Sequence, residues 1–272
     1  MAKLILAIVI TLLFNHSAIA QDDYQLDLGI GAFALSIPDY PGSNEQSNYI
    51  VPMPYIYYRD DKVAVDRQGI TSSLWQHNNI YFDLSASAGI PAKSKNNRAR
   101  SGMPDIDWTF GLGTSLKYYW QGDPLAKNTF YSEVFARKVI ATDFSSLDNI
   151  GWHSGFSTTI ERDSSVLGYA AKWSTKININ VNSDKYLDYY YGVQSQYQTS
   201  QRNTFASRSG YAGADISSGV MIKLPSFWVG GFVKYYSFKH SEQIHSPLLT
   251  DNQGWAVGIG LLWIFYNNKE SL

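Results

Sequence analysis

The chain has 272 residues, a formal net charge of −1 and no cysteine. Disulfides and cysteine-ligated metals are excluded, and the charge balance argues against a broad basic surface for nucleic acid. It carries 20 Tyr, 13 Phe and 8 Trp, yet its mean hydropathy of −0.22 is too polar for a bundle of membrane helices.

The first segment has one positive charge, Lys3, then an apolar run from Leu4 to Phe14 broken only by Thr11, then Ala18-Ile19-Ala20. That order describes a secretory signal peptide over residues 1–20, cleaved after Ala20. The apolar run is well short of the roughly 20 residues a membrane-crossing helix needs. Residues 21–272 are then expected to form a single domain.

Beyond the leader, period two dominates. In 24–34, Tyr24, Leu26, Leu28, Ile30, Ala32 and Ala34 alternate with Gln25, Asp27, Gly29, Gly31 and Phe33. Similar alternation recurs along the chain and ends with Trp255, Val257, Ile259, Leu261, Trp263 and Phe265. Successive strand side chains point to opposite faces, so each run has one apolar face and one small or polar face. The runs predict strands at 24–34, 49–59, 62–73, 79–90, 107–119, 129–140, 152–161, 167–181, 209–224, 226–238 and 254–265. Several are longer than the usual five or six residues of soluble strands, and of the length a tilted membrane strand requires. Aromatics at run ends, such as Tyr24, Trp108, Tyr118, Trp255 and Phe265, fit interfacial girdles. The expected fold is all-β: a closed antiparallel transmembrane β-barrel of the bacterial outer membrane.

Bacterial barrels normally have an even number of strands, and the runs number eleven. Adding "YLDYYYGVQ", 186–194, gives twelve, and turns 91–106 and 141–151 into long periplasmic segments. Discarding 24–34 gives ten and places every long loop outside. The clean alternation of 24–34 favours twelve.

The charges expected on the inward face are Asp27, Asp83, Lys117, Glu133, Arg137, Lys172, Lys176, Asp215 and Lys234. On the lipid face each would cost about 2–4 kcal/mol at the midplane, which places them inside. Mutual ion pairing is the plainer reading of them, ahead of a dedicated ion or substrate site. "WHSG" offers His153 and Ser154, but adjacent strand residues face opposite ways and cannot share a proton. His77, His240 and His245 show no metal-ligand spacing, and there is no G-x-S-x-G motif. No enzyme activity, metal or cofactor is expected. The loop 91–106 is locally basic through Lys93, Lys95, Arg98 and Arg100, suited to anionic lipopolysaccharide outside or to a protein partner inside. The long loops read as polar and mobile.

Between the first two runs lies Pro38-Asp39-Tyr40-Pro41-Gly42-Ser43. Each proline holds its predecessor extended, Gly42 can take a positive φ, and Asp39 and Ser43 can bond to nearby backbone. The stretch is a rigid turn. Followed by "VPMPYIYYRDDKV", then "RSGMPDIDWTFGLG", "YYYGV" and "SPLLTDNQGWAVGIGL" in that order, it resembles the MipA/OmpV family of outer-membrane proteins. The motif loop comprises Pro38, Asp39, Tyr40, Gly42 and Ser43. The resemblance implies a non-enzymatic barrel that links a murein transglycosylase to a murein synthase as a scaffold. Other partners would be outer-membrane lipid, lipopolysaccharide and the barrel-assembly machinery, which reads a terminal aromatic; here a short tail follows Phe265. The competing reading is a narrow small-solute channel or a surface-exposed binding or adhesion protein. No nucleic-acid partner is expected.

Overall fold

The computed structural model describes residues 25–59, 63–66 and 69–268; the expected signal peptide lies outside them. The strands are β1 (Gln25–Pro38), β2 (Gln46–Arg59), β3 (Val63–Asp66), β4 (Gly69–His77), β5 (Ile80–Gly89) and β6 (Trp108–Gln121). They continue with β7 (Thr129–Thr142), β8 (Asp148–Val166), β9 (Tyr169–Asn182), β10 (Gly210–Lys223), β11 (Phe227–Ser237) and β12 (Gln253–Asn267). An α-helix, α1 (Asp184–Tyr191), and a short 3-10 turn (Ser195–Tyr197) lie between β9 and β10. Every strand pairs antiparallel with its neighbours in sequence, and β1 pairs with both β2 and β12, so the order closes into a barrel. Among the described residues the thinnest junction is β2 to β3, with two paired positions, Tyr58 with Val65 and Arg59 with Ala64.

The twelve-strand count holds, but by a different route. The single strand expected at 62–73 is two: Asp66 pairs with Gly69, and β3 and β4 form a short hairpin. The signal is the polar "DRQG" between two alternating pieces. Residues 186–194 supply no strand. Ser183 caps α1 there, its Oγ accepting the Tyr186 N–H at 3.3 Å. Tyr186, Tyr189 and Tyr190 fall at helical spacing, which a period-two reading misses.

This early extra reversal fixes the sidedness of everything after it. Connections 39–45, 90–107, 143–147, 183–209 and 238–252 all lie at one end, the loop end. The connections 78–79, 122–128, 167–168 and 224–226 lie at the other, the turn end, with Gln25 and Asn267. Loops 91–106 and 141–151 therefore do not share the end of the chain termini, as the twelve-strand scheme expected.

The outer wall is apolar. Ile30, Leu112, Leu116, Val134, Phe156, Ile177, Ile259 and Leu261 are exposed around it. Trp152 and Trp255 lie towards the loop end; Trp120, Trp173 and Trp263 lie towards the turn end. The inner wall is two-sided. Strands β5 to β10 carry most of the charges and hydroxyls. From β10 through β12 to β1, glycines alternate round the wall with large apolar groups. A side chain at Gly260 would meet the Phe33 ring, and one at Gly258 the Phe232 ring.

Candidate functional site

Four ion pairs link the inner wall, three between neighbouring strands and one, Lys176 with Glu133, across β8. Lys117 on β6 meets Asp83 on β5 at 3.0 Å, and Lys176 on β9 meets Glu133 on β7 at 3.3 Å. Lys172 on β9 meets Glu161 on β8 at 2.9 Å, and Lys234 on β11 meets Asp215 on β10 at 3.0 Å. Asn178 and Asn180 each donate to Asp215 at 3.2 Å. Asp27 is buried on β1, away from these pairs. Glu161 is not among the expected inward charges, because it closes the expected strand 152–161. In the structure β8 runs on to Val166, and the inward series Ser157, Thr159, Glu161 continues through it.

Arg137 stands apart. Its Nε donates to Ser85 Oγ at 2.8 Å, and its guanidinium lies 4.1 Å from the Phe135 ring centre. Among the described residues, no carboxylate comes within 4.0 Å of it. Beside it is a cavity of about 340 Å³, lined by Ser85, Lys117, Glu133, Arg137, Thr159 and Lys176 among others.

His153 and Ser154 face opposite ways. His153 Nε2 lies 3.0 Å from Asn180 Oδ1, and its ring stacks on Tyr186 at 5.4 Å. Ser154 Oγ donates to the Val181 carbonyl instead. His77 stacks on Trp75 near the turn end, and His240 and His245 lie in the 238–252 loop. No cluster suited to a metal ion occurs among the described residues.

The loop end is covered by a folded cap, where the sequence suggested mobile loops. Tyr40, Ala92, Ile106, Leu187, Tyr190, Tyr191 and Ala212 form one buried cluster, drawn from three of the loop-end connections and the start of β10, with Leu249 of a fourth packed against it. The "PDYPGS" turn sits at its centre. Tyr40 is 2% exposed; its hydroxyl donates to the Leu248 carbonyl at 2.6 Å, and Tyr191 donates to the Pro41 carbonyl at 2.7 Å. Asp39 accepts from Ser47 at 2.6 Å and from Asn97 at 2.9 Å, and Asn97 also donates to Ser43 Oγ at 3.0 Å. Gly42 has φ +87°, and a side chain there would run into Leu249.

Two buried arginines tie the cap together. Arg100 donates to the Tyr190 carbonyl at 2.8 Å and lies over the Tyr40 ring at 5.6 Å. Arg202 donates to the carbonyls of Ala99 (2.7 Å) and Ser101 (3.0 Å). Burial pushes the Tyr40 hydroxyl up to about 12 and lowers the Arg100 guanidinium from its ordinary value. The basic loop is thus largely engaged within the protein: Lys93 pairs with Asp105 and Arg98 with Glu45. Lys95 stays exposed. Nothing in the spacing of "PDYPGS" or "NNRAR" showed that they meet.

At the turn end, Tyr81, Tyr119 and Tyr131 pack together, with ring centres 5.0 and 4.9 Å apart. Tyr55 packs edge-on against Trp228 at 5.1 Å. Past this layer the β8–β9 hairpin projects, with Leu167 at its tip 93% exposed. Asp163 N–H bonds to the Lys127 carbonyl at 3.2 Å, so this hairpin and the 122–128 turn form one surface.

A family model described as MltA-interacting protein MipA matches residues 30–265. No curated protein matches the chain. Among solved structures, the chain is similar to one described as the CymD monoaromatic hydrocarbon channel, at 11% identity over 89% of this chain and 88% of that one, TM-score 0.32. It is also similar to a Pseudomonas aeruginosa FadL homologue, at 9% identity over 89% and 90%, TM-score 0.23. A third is Pseudomonas aeruginosa OccK8 (OprE), at 9% identity over 86% and 78%, TM-score 0.22.

Proposed function

The chain belongs to the MltA-interacting protein MipA family, and from that premise we propose a non-enzymatic scaffold of the bacterial outer membrane that joins a murein hydrolase to a murein synthase. The apolar outer wall supports the membrane placement, since soluble proteins rarely expose a continuous apolar belt. In that placement the turn end faces the periplasm and the loop end faces outward. Lys95 at the loop end and Lys138 on the outer wall near it are exposed and offer cations to lipopolysaccharide phosphates. The outward Phe265 near the end of β12 offers the assembly machinery its aromatic signal.

One observation carries the scaffold reading: aromatic side chains pack together at both ends of the barrel, in the cap and in the tyrosine layer, while the turn end projects a shaped surface. A barrel packed in this way supports holding partners better than passing solutes, and it weighs against the narrow-channel reading. Leu125 and Leu167, 64% and 93% exposed on the joined turn surface, are the natural apolar anchors for a periplasmic protein. The test is a photo-crosslinking residue placed at Leu167 or, for comparison, at Lys95, in cells that contain the murein enzymes. The scaffold reading expects a crosslinked murein hydrolase or synthase from position 167 and none from position 95. No enzyme captured at 167 overturns it.

A further inference from the structure

We propose that the lumen holds a small oxyanion, a carboxylate or phosphate group, on the guanidinium of Arg137. This site is independent of the docking surface at the turn end. Three observations converge on it.

The first is charge. The cavity wall carries Lys117, Arg137 and Lys176 against Glu133. Lys117 is matched by Asp83 and Lys176 by Glu133, which leaves Arg137 as the excess cation. Glu133 is already engaged by Lys176 and by Ser157, each at 3.3 Å. Glu133 attracts Arg137 only at a distance and forms no ion pair with it, so the partly buried guanidinium is under-compensated, and an anion in the adjoining space would offset that cost.

The second is geometry. Arg137 lies next to Gly113 on β6 and reaches over it to Ser85 on β5. A side chain at Gly113 would overlap the Ala136 carbonyl, and one at Gly111 would contact Ser87 Oγ and the Arg137 side chain. Neither position has room for a Cβ, so β6 and β7 approach closely where Arg137 leaves the wall. Ser85 takes Nε, and the two Nη nitrogens have no acceptor among the described residues. That pair of donors is the fork that recognises carboxylate and phosphate oxygens bidentately.

The third is an unused polar group in the same wall. Thr159 is 2% exposed, lines the cavity, and its Oγ1 has no hydrogen-bond partner. A hydroxyl there can donate to the same anion. The volume of about 340 Å³ falls at the small end of ligand pockets, suited to a compact anion rather than an extended substrate.

The test uses the full chain purified in detergent, its folding checked by a heat-modifiable gel shift, with ¹³C-formate as the probe. Saturable broadening of the formate line is expected in the native protein. It should weaken at least threefold in Arg137→Gln, survive in part in Arg137→Lys, and persist in Arg98→Gln, which alters an exposed arginine. Should Arg137→Gln fail to fold, Thr159→Val carries the test, with at least threefold weaker binding expected. Displacement of formate by inorganic phosphate assigns a general oxyanion site; resistance to displacement assigns it to carboxylates alone. Absence of saturable broadening in the native protein overturns the proposal, as does equal broadening in the folded Arg137 and Thr159 variants.

Discussion

Replacing Tyr40 with Phe removes one oxygen and keeps the ring. That oxygen donates to the Leu248 carbonyl at 2.6 Å, and Leu248 is fully buried. A buried acceptor left without its donor costs about 1–3 kcal/mol. If the cap opens as a unit, its open population rises by roughly 5- to 150-fold, at tenfold per 1.4 kcal/mol. Trypsin reads this directly, because Arg100 and Arg202 are buried in the closed cap, at 4% and 8% exposure. Cleavage of a transiently open segment follows its open population when reclosing outpaces cutting. Cutting after both Arg100 and Arg202 should therefore accelerate by the same factor, while the heat-modifiable barrel band is unchanged. Acceleration after Arg100 alone, or no acceleration, would refute the idea of a single cooperative cap with Tyr40 at its centre.

Three further outcomes follow from the same geometry. Lys117→Met strands Asp83, whose side chain is 1% exposed, and should destabilise the barrel by about 3–5 kcal/mol; adding Asp83→Leu should recover most of the lost thermal stability in detergent. Gly260→Ala places a methyl group 2.5 Å from the Phe33 ring and should cost about 1–3 kcal/mol by overpacking, which a smaller residue at position 33 should relieve in the same unfolding assay. Burial raises Tyr40 and Tyr189 to about 12, so the folded cap holds their protons more tightly than the open one does. Their contribution to cap stability is complete below pH 10 and is lost as pH rises towards 12. Tyrosinate absorbance should show a late-ionising fraction, and a single step near pH 10 would contradict it.

The barrel was legible because period-two alternation persists through strands such as β6 and β12, where outward residues such as Leu112, Leu116, Ile259 and Leu261 have a Gly, Ser or Lys beside them. The ring order is a plain meander in which each strand pairs with its neighbours in sequence. Sidedness was not legible, because it hung on four polar residues, Asp66 to Gly69, that split one apparent strand in two. The inward faces of Asp83, Lys117 and Glu133 could be read from the cost of a charge on the lipid face, but their pairing needed the register. The cap was invisible for a physical reason: its contacts join segments far apart in sequence, such as Tyr40 with Leu248 and Arg202 with Ala99. Local pattern carries no trace of such pairs. Only Tyr186, Tyr189 and Tyr190 of α1, at helical spacing, gave a local signal, and alternation elsewhere in the chain outweighed it.

The account rests on opposite sides for the cap and the short turns. The chain lacks cysteine, so single cysteines can be labelled without background. Lys95 and Ser145 are exposed at the loop end, and Asp123 and Leu167 at the turn end. Cysteines at 95 and 145 should react with an impermeant maleimide in intact cells. Those at 123 and 167 should react only once the outer membrane is opened. The reverse pattern, or protection of all four in intact cells, would contradict the account.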